Sequence, residues 1–323
     1  MKFDVVSIGS ATKDIFLFTK DSNLKRGIDR HFLEVPLDQK IEIEKRLEFS
    51  GGSATNSAAS FAKFGKNAAV IAKIGNDYNG GFILDDLSKR GISTEYVIRG
   101  SGETPFTNVL VSTNRHMIIL TYRGMESSLK AEEIRLDFES KWLFVGPLPG
   151  NAYKILPVMI DYCKLNDIKI ALNPGSTELG LKLKRMAKIL KDVNVISMND
   201  DEAGIFVGYG NDVKNLVKLA KTVKDTAIIT KGDKGSLVAD SGNIYRASAY
   251  PSKQINFIGA GDAYFAGFMN GLIDSKDIEE SISLGSYNAS SVTMHYGAKD
   301  GIVSGYPVQE LKIRRQVYEK KRS

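Results

Sequence analysis

The stretch Gly259-Ala260-Gly261-Asp262 is followed at once by Ala263-Tyr264-Phe265-Ala266-Gly267-Phe268-Met269-Asn270-Gly271-Leu272. Apolar side chains recur in the second stretch at the spacing of one helix face, so the sequence predicts a helix that begins at the glycine-rich turn. The first turn of a helix has unpaired N–H groups and the positive end of the helix dipole. Together these favour a bound phosphate or a phosphoryl group in transit.

Asp262 is an unexpected residue at a phosphate site, because like charges repel. It is better explained as the base that accepts a proton from an attacking hydroxyl group. The structural alternative is an ordinary glycine-rich turn with an acid that compensates the helix dipole. The other motifs of the chain favour the first explanation, and the turn therefore predicts a phosphotransferase centre.

The composition excludes several classes of protein. The 323 residues are 42% hydrophobic, which is enough for a large core, and the net charge of +6 is small and dispersed. The single Cys163 excludes an intramolecular disulfide and fits a reducing cytoplasm. The N-terminus has a strand pattern instead of a secretory signal, and no apolar run approaches the ~18 residues of a membrane span. We expect a cytoplasmic protein without nucleic-acid or membrane partners, and we interpret the basic stretches Lys182–Lys191 and Lys312–Lys321 as solvated helix faces.

Short apolar runs alternate with helical patterns along most of the chain. This order predicts an α/β fold, a doubly wound and mostly parallel sheet flanked by helices. The regions Phe16–Phe49 and Thr104–Tyr122 instead alternate apolar and polar residues, as in Lys40-Ile41-Glu42-Ile43-Glu44, which is typical of an antiparallel, half-exposed sheet. We therefore expect a single domain over residues 1–323, with a small β lid formed by about residues 12–49 and 104–123.

Other motifs place polar groups beside predicted strands and helices. Ser50-Gly51-Gly52-Ser53-Ala54-Thr55-Asn56 precedes a helix; its glycines allow close approach of a ligand and its Asn suits sugar hydroxyls, but a capped turn explains it equally well. Asn199-Asp200-Asp201-Glu202 follows an apolar strand and offers oxygen ligands for Mg²⁺, and a capped helix start is compatible with that role. Thr230-Lys231-Gly232-Asp233-Lys234-Gly235 could wrap a nucleotide, or it could be a plain β-turn.

In this order the motifs resemble those of the ribokinase family of carbohydrate and nucleoside kinases, also called the PfkB family. The N-terminal signature spans about Gly51–Gly65 and the C-terminal one about Gly259–Gly271. Between them the order also matches, with Gly75-Asn76-Asp77-Tyr78-Asn79-Gly80, Leu172-Asn173-Pro174, Asn199-x-x-Glu202 and Thr230-x-Gly232-x-x-Gly235. The resemblance implies a ribokinase-like fold and an ATP-dependent kinase that phosphorylates a hydroxymethyl group of a sugar or sugar derivative.

The resemblance also implies roles for individual residues. Asp262 is implied as the base, and the N–H groups of Gly259, Ala260 and Gly261 as the anion hole. Asn199 and Glu202 would position Mg²⁺, largely through water. The residues implied to hold the acceptor are Asp14, Gly51, Gly52 and Asn56. Those implied to contact ATP are Asn199, Thr230, Gly232, Gly235 and Asn288.

Two departures from the family pattern bear on cofactor and acceptor. Asn256-Phe257-Ile258 stands where relatives usually carry Asp-Thr-Thr, a segment that helps to build a monovalent-cation site in many of them. The missing carboxylate weakens a K⁺ ligand set and makes activation by K⁺ doubtful. Ribokinases proper carry Asn two residues before Asp14, where this chain has Thr12, so a generic sugar or nucleoside is favoured over ribose.

Alternatives remain open at this point. A nucleoside kinase of the adenosine, inosine or cytidine type would use the same centre, with Phe16, Phe18, Phe106 and Met117 around the base, although these residues could equally form the core of the lid. Arg123 could hold the carboxylate or phosphate of an acidic sugar, or be an ordinary surface residue. A regulator without catalysis is disfavoured because Asp262 and Gly261 are intact. An exposed edge of the lid sheet would allow a homodimer.

Overall fold

The structure is a computed structural model that describes residues 2–20, 23–26, 31–35 and 37–318. In chain order the strands are β1 (Lys2–Ile8), β2 (Thr12–Phe18), β3 (Asn23–Arg26), β4 (His31–Glu34), β5 (Lys45–Gly51), β6 (Ala68–Ile71), β7 (Lys73–Gly75), β8 (Ile98–Gly100), β9 (Phe106–Val111), β10 (Met117–Tyr122), β11 (Glu139–Val145), β12 (Lys169–Leu172), β13 (Val195–Asn199), β14 (Thr226–Thr230), β15 (Ser236–Asp240), β16 (Asn243–Ala247) and β17 (Ile313–Val317). The α-helices are α1 (Ser53–Lys63), α2 (Tyr78–Lys89), α3 (Leu156–Leu165), α4 (Ser176–Gly180), α5 (Lys182–Leu190), α6 (Asp200–Val207), α7 (Asp212–Ala220), α8 (Ala260–Ile273) and α9 (Ile278–Val292).

The larger sheet contains nine strands in the described part of the chain, in the order β17-β16-β15-β14-β13-β12-β11-β1-β6. Six neighbouring strands run parallel, in the order β6, β1, β11, β12, β13 and β14. The sheet continues from β14 with the antiparallel strands β15, β16 and β17. The predicted α/β fold with a mostly parallel sheet is therefore confirmed. The expectation of a helix over Lys312–Lys321 is wrong for its described part, because Ile313–Val317 pairs with β16 as an edge strand; residues 319–321 lie outside the described residues.

Successive side chains of a strand point to opposite faces of the sheet, so the apolar strands of this sheet carry apolar side chains on both faces. Helices cover both faces. Val6 and Ile8 of β1 join a core that also contains side chains of α3, α5, α6 and α7. Val5 joins the core on the other face, formed with α1, α2, α8 and α9. In that second core Phe265 of α8 lies against Phe144 of β11, with ring centroids 4.9 Å apart. The predicted helix after the glycine-rich turn is thus anchored on the middle of the sheet.

A smaller sheet has the order β10-β9-β2-β5. Its strands pair antiparallel as expected from the alternating pattern, except that β2 and β9 are parallel. The quoted alternating segment at residues 40–44 is not a strand; pairing begins at Lys45, opposite Phe18. Phe16, Val109 and Val111 form the core of this sheet. None of the helices in the described residues is long and apolar enough to cross a membrane.

The parallel strands of the larger sheet end at one edge, where ligands of such folds bind. At this edge Ser10, Pro147 and Asn173 follow β1, β11 and β12, and the last residues of β13 and β14 are Asn199 and Thr230. These five residues line cavities, one of which is also lined by Asp14, Thr107 and Thr121 of the smaller sheet. The two sheets therefore meet beside Asp14, Asn199 and Thr230, for which the sequence predicts contacts with ligands.

Candidate functional site

Helix α8 begins at a turn that only glycine allows. Gly259 has φ +80°, and a Cβ there would lie 2.4 Å from Cβ of Ala298. The N–H of Ala260 donates to the carbonyl of Phe257 (3.3 Å), and the N–H of Ala263 donates to Gly259 (2.9 Å). Because a helix leaves its first N–H groups without partners of its own, those of Gly261 and Asp262 are better placed than that of Ala260 to bind an anion.

Cavities of about 400, 200 and 460 Å³ lie side by side at this turn. We call them the acceptor cavity, the central cavity and the nucleotide cavity, in that order, after the ligands that the family resemblance implies for the residues that line them. The acceptor and central cavities share Asp262, Glu202 and Gly259 as lining residues. The central and nucleotide cavities share Gly261 and Thr230. The start of α8 thus lies between two larger cavities, with its carboxylate on the side of the first.

Asp262 is held by a hydrogen bond from another helix. Nδ2 of Asn56, on α1, donates to its Oδ2 at 2.8 Å. Burial raises the pKa of Asp262 to about 6, and the negative charges of Glu202 and Asp14 act in the same direction, whereas the bond from Asn56 opposes the rise. Oδ1 of Asn56 is buried and accepts no hydrogen bond among the described residues. Such an atom is suited to receive a ligand hydroxyl group.

Asp14 lines the acceptor cavity and is buried. Oγ1 of Thr12 donates to its Oδ1 at 2.9 Å, and burial raises its pKa. A Cβ at Gly51 would lie only 2.0 Å from Oδ2 of Asp14, so the glycine makes room for this carboxylate. Gly52 itself lines the cavity. The structure thus brings together Asp14, Gly52 and Asn56, with Gly51 as the residue that permits their arrangement.

Arg123 is the one cationic side chain among the described residues that line the acceptor cavity. Its Nη1 donates to Oε1 of Glu126 at 3.1 Å, and about half of the Arg123 side chain is exposed. Burial raises the pKa of Glu126, while the hydrogen bonds from Ser10 and Arg123 counteract the rise. The side chain that the sequence suggested for an anionic group therefore lies at the predicted cavity, supported by an acid that the sequence analysis did not single out.

Asn199 and Glu202 form a capping box at the start of α6. The Glu202 N–H donates to Oδ1 of Asn199 at 2.8 Å, and the Asn199 N–H donates to Oε2 of Glu202 at 2.8 Å. Both also line the central cavity. Among the described residues no cluster of three or more His, Cys, Asp or Glu side chains suits a metal. One carboxylate is nevertheless enough for Mg²⁺ when phosphate oxygens and water complete its shell.

Thr230, Gly232 and Gly235 together line the nucleotide cavity. Asn288 lies elsewhere: it is fully buried, and its Nδ2 donates to Oγ of Ser60 (2.8 Å) and to the carbonyl of Ala263 (2.8 Å). Its Oδ1 accepts the N–H of Val303. Helix α9 instead lines the cavity with Ser286, Ala289 and Ser290, followed by Thr293 directly after the helix. The amide of Asn288 thus joins α1, α8 and α9 and does not face the nucleotide cavity.

Besides Glu126, two further buried charged residues near the acceptor cavity were missed from the sequence. Glu178 lines the cavity and accepts the N–H groups of Leu148 (3.0 Å) and Gly175 (3.1 Å). Nζ of Lys299 donates to the carbonyl (2.9 Å) and hydroxyl (2.6 Å) of Ser50, and burial lowers the pKa of Lys299 to about 8. Glu178 lies in the first turn of α4 after a Pro-Gly loop, a signal that could have been used. For Lys299 the sequence pattern contains no such signal.

Comparisons with known proteins agree with this geometry. A family model described as pfkB family carbohydrate kinase matches residues 2–304. A 5-dehydro-2-deoxygluconokinase of Bacillus subtilis is 26% identical over 334 residues, which cover 96% of this chain and 95% of that protein. A ribokinase structure from Thermotoga maritima superposes with a TM-score of 0.77 at 22% identity, covering 93% of this chain and 96% of that one. A nucleoside kinase structure from Methanocaldococcus jannaschii has a TM-score of 0.74 at 20% identity, with 92% and 94% covered.

The hydrogen bond from Asn56 can be tested by the titration of Asp262. We expect Asn56→Ala to raise the pKa of Asp262 above about 6, because the bond stabilises the charged carboxylate. Carbon-13 NMR of labelled aspartate side chains across pH measures the change. The control is Asn173→Ala, which removes an amide that lines the central cavity but donates to the carbonyl of Ser197. An unchanged or lower pKa in Asn56→Ala would contradict this account.

Proposed function

The chain belongs to the pfkB family of carbohydrate kinases, and we propose that it transfers the γ-phosphoryl group of ATP to a hydroxymethyl group of a sugar or sugar derivative. Members of this family are phosphotransferases with an alcohol group as acceptor. One observation carries the proposal. Asp262 lies where the acceptor and central cavities join, and Gly261 of the same turn lies where the central and nucleotide cavities join. An alcohol on one side and ATP on the other would therefore meet at this turn.

In this proposal Asp262 orients the acceptor hydroxyl and takes its proton during transfer. A phosphoryl transition state is loose, so a carboxylate of low basicity is sufficient. The hydrogen bond from Asn56 fixes the direction of the carboxylate. Oδ1 of Asn56 accepts a hydrogen bond from a second hydroxyl group of the sugar. The N–H groups of Gly261 and Asp262, with the dipole of α8, stabilise the negative charge on the transferring group.

The nucleotide and metal roles follow from the residues around the other two cavities. Thr230, Gly232 and Gly235 would hold ATP, and Glu202, positioned by its capping box with Asn199, would hold Mg²⁺ largely through water. Mg²⁺ supplies charge neutralisation of the phosphates when it is bound. The smaller sheet acts as a lid over the acceptor, which excludes water as a competing acceptor.

The acceptor cavity favours a sugar over a nucleoside. Its walls carry hydroxyl and carboxylate side chains, among them Thr12, Asp14 and Thr107. The aromatic residues considered for a base are used elsewhere: Phe16 and Phe18 pack edge to face on Tyr296, and the Phe106 ring lies 5.2 Å from that of Tyr122. Met117 packs against the same small core as Phe16. None of these four residues is among those that line the acceptor cavity.

We further propose that the acceptor is an acidic sugar. Arg123 is positioned by the buried Glu126 at the cavity, and a guanidinium pairs well with a carboxylate or phosphate. A relative that aligns along nearly the whole chain is named as a kinase of a gluconate derivative, which is a sugar acid. Arg123 would hold the acidic end of such a molecule while its hydroxymethyl end reaches Asp262.

A homodimer through the lid also belongs to this proposal. In the described residues β10 is an outer strand of the smaller sheet, and it exposes Ile119, Leu120 and Tyr122. An uncharged, apolar edge strand has unpaired backbone groups and readily pairs with another chain. Ile119 and Thr121 of this strand line the acceptor cavity, so a second copy on β10 would close that side of the cavity.

The role of Asp262 is tested by Asp262→Asn. We expect the variant to bind ATP as the parent does but to lose at least ~10²-fold in turnover, the cost of removing a group that acts in the transition state. ADP release measures turnover, and calorimetry measures ATP binding. The control Asp161→Asn changes an exposed acid on α3 and should keep the parental rate. Parental turnover in Asp262→Asn would exclude this carboxylate as the base.

The acceptor class is tested with a panel of neutral sugars, sugar acids, sugar phosphates and nucleosides. We expect an acidic sugar to be the best acceptor, and Arg123→Gln to raise its KM roughly 10- to 100-fold, the loss expected for one charge-assisted hydrogen bond. Neutral sugars should respond little. Arg135→Gln, which removes an exposed Arg that pairs with Asp137, is the matched control. A nucleoside as best acceptor, or an unchanged KM, would contradict the assignment.

The dimer is tested by light scattering of the purified protein. We expect a dimer for the parent and a monomer for Leu120→Lys, because a charge on each β10 edge opposes pairing. Leu165→Lys places the same charge at an exposed position at the end of α3 and should leave the dimer intact. A monomeric parent at all concentrations would refute pairing through the lid.

A further inference from the structure

Asn256 lies in the segment that leads into the turn at Gly259, and its side chain is almost fully buried. Its Nδ2 group donates to the carbonyl oxygens of Ile258 (3.4 Å) and Gly297 (3.3 Å), both longer than average. Its Oδ1 accepts the N–H of Ile258 at 3.0 Å. One side chain therefore joins the residue just before the turn to the loop at Gly297.

That loop is in direct contact with the turn. Ala298 lies so close to Gly259 that a Cβ on Gly259 would be 2.4 Å from that of Ala298. The N–H groups of Ile255 and Asn256 both donate to the carbonyl of Thr293, at the end of α9. The positions of the first N–H groups of α8 thus depend on how residues 255–258 are held against residues 293–298, and Asn256 is the side chain that holds them.

The family resemblance implies a monovalent cation near this segment, but the residues do not fit one. A cation site needs several oxygen ligands directed at one point. Here two carbonyl oxygens face the amide N–H₂ of Asn256, which has two donors and carries partial positive charge. A cation at the same place would lie against these hydrogens, and no carboxylate is present at residue 256 to balance its charge.

We propose that the Asn256 amide takes the place of a bound monovalent cation, so that the anion-binding turn is held by the chain itself and catalysis needs neither K⁺ nor Na⁺. Asn256 is a positioning residue: it acts through the Ile258 and Gly297 carbonyls on the turn that binds the phosphoryl group. The inference rests on the proposed kinase activity only where the rate is measured. The thermal midpoint of unfolding, the second quantity measured, needs no acceptor.

The test exchanges K⁺ for tetramethylammonium, an ion too large for such a site, at equal ionic strength. We expect the parent to keep the same rate and the same thermal midpoint in both salts. Asn256→Asp removes both donated hydrogen bonds and adds a carboxylate beside two free carbonyl oxygens, which creates a cation site. This variant should lose roughly 10²-fold in rate in tetramethylammonium, the cost of a misplaced site, and regain rate and thermal midpoint in K⁺.

Asn166→Asp is the matched control, because Asn166 also donates to a carbonyl, that of Tyr162 (2.9 Å), at an exposed position directly after α3. It should behave as the parent in both salts. A parent that is activated or stabilised several-fold by K⁺ overturns the inference. A folded Asn256→Asp that responds to K⁺ no more than Asn166→Asp overturns the assignment to Asn256. If Asn256→Asp does not fold in either salt, Asn256→Ser and the parent still test whether Asn256 positions the turn. We expect Asn256→Ser to be slower than the parent in both salts. Parental rates in Asn256→Ser would contradict the positioning role.

Discussion

The hydrogen bond between Asn56 and Asp262 joins the two helices on which the site depends. Asn56 lies in the first turns of α1 and Asp262 in the first turn of α8, and 206 residues of chain separate them. Both helices pack on the same face of the larger sheet, so their starts are fixed at its carboxyl edge. The carboxylate that would act as base is therefore oriented by the element that would bind the acceptor, and neither helix start could move without disturbing the other.

Around this bond the site concentrates negative charge in a poorly solvated space. Asp14, Glu178, Glu202 and Asp262 all line the acceptor cavity, and burial raises the pKa of each of them. The positive end of α8, the guanidinium of Arg123 and the buried ammonium of Lys299 oppose that accumulation. Such a balance suits the transfer of a negatively charged phosphoryl group, which the site must bind during the reaction and release afterwards.

Much of this arrangement could be predicted because it depends on local chemistry. The glycine-rich turn before α8 and the capping residues of α6 are short patterns, and each favours one backbone conformation. The rest depends on tertiary contacts. The burial of Asn288 could not be predicted, because the two sides of α9 carry similar small polar residues. Lys299 lies in a segment without the periodicity of a helix or a strand, so its burial could not be predicted either. Residues 40–44 alternate like a strand but lie before the pairing that begins at Lys45, and the charges of β17 resemble a solvated helix until its partner β16 is known.

The outermost strand of the larger sheet is dense in arginine, and that composition has a consequence for solubility. Arg314 and Arg315 lie on β17, which pairs with β16 alone among the described strands, and both side chains are exposed. Cationic groups along such a border repel a like border on a neighbouring molecule. The outer strand β10 of the smaller sheet, by contrast, exposes the uncharged side chains of Ile119 and Leu120. Self-association through backbone pairing is therefore less favourable at β17 than at β10.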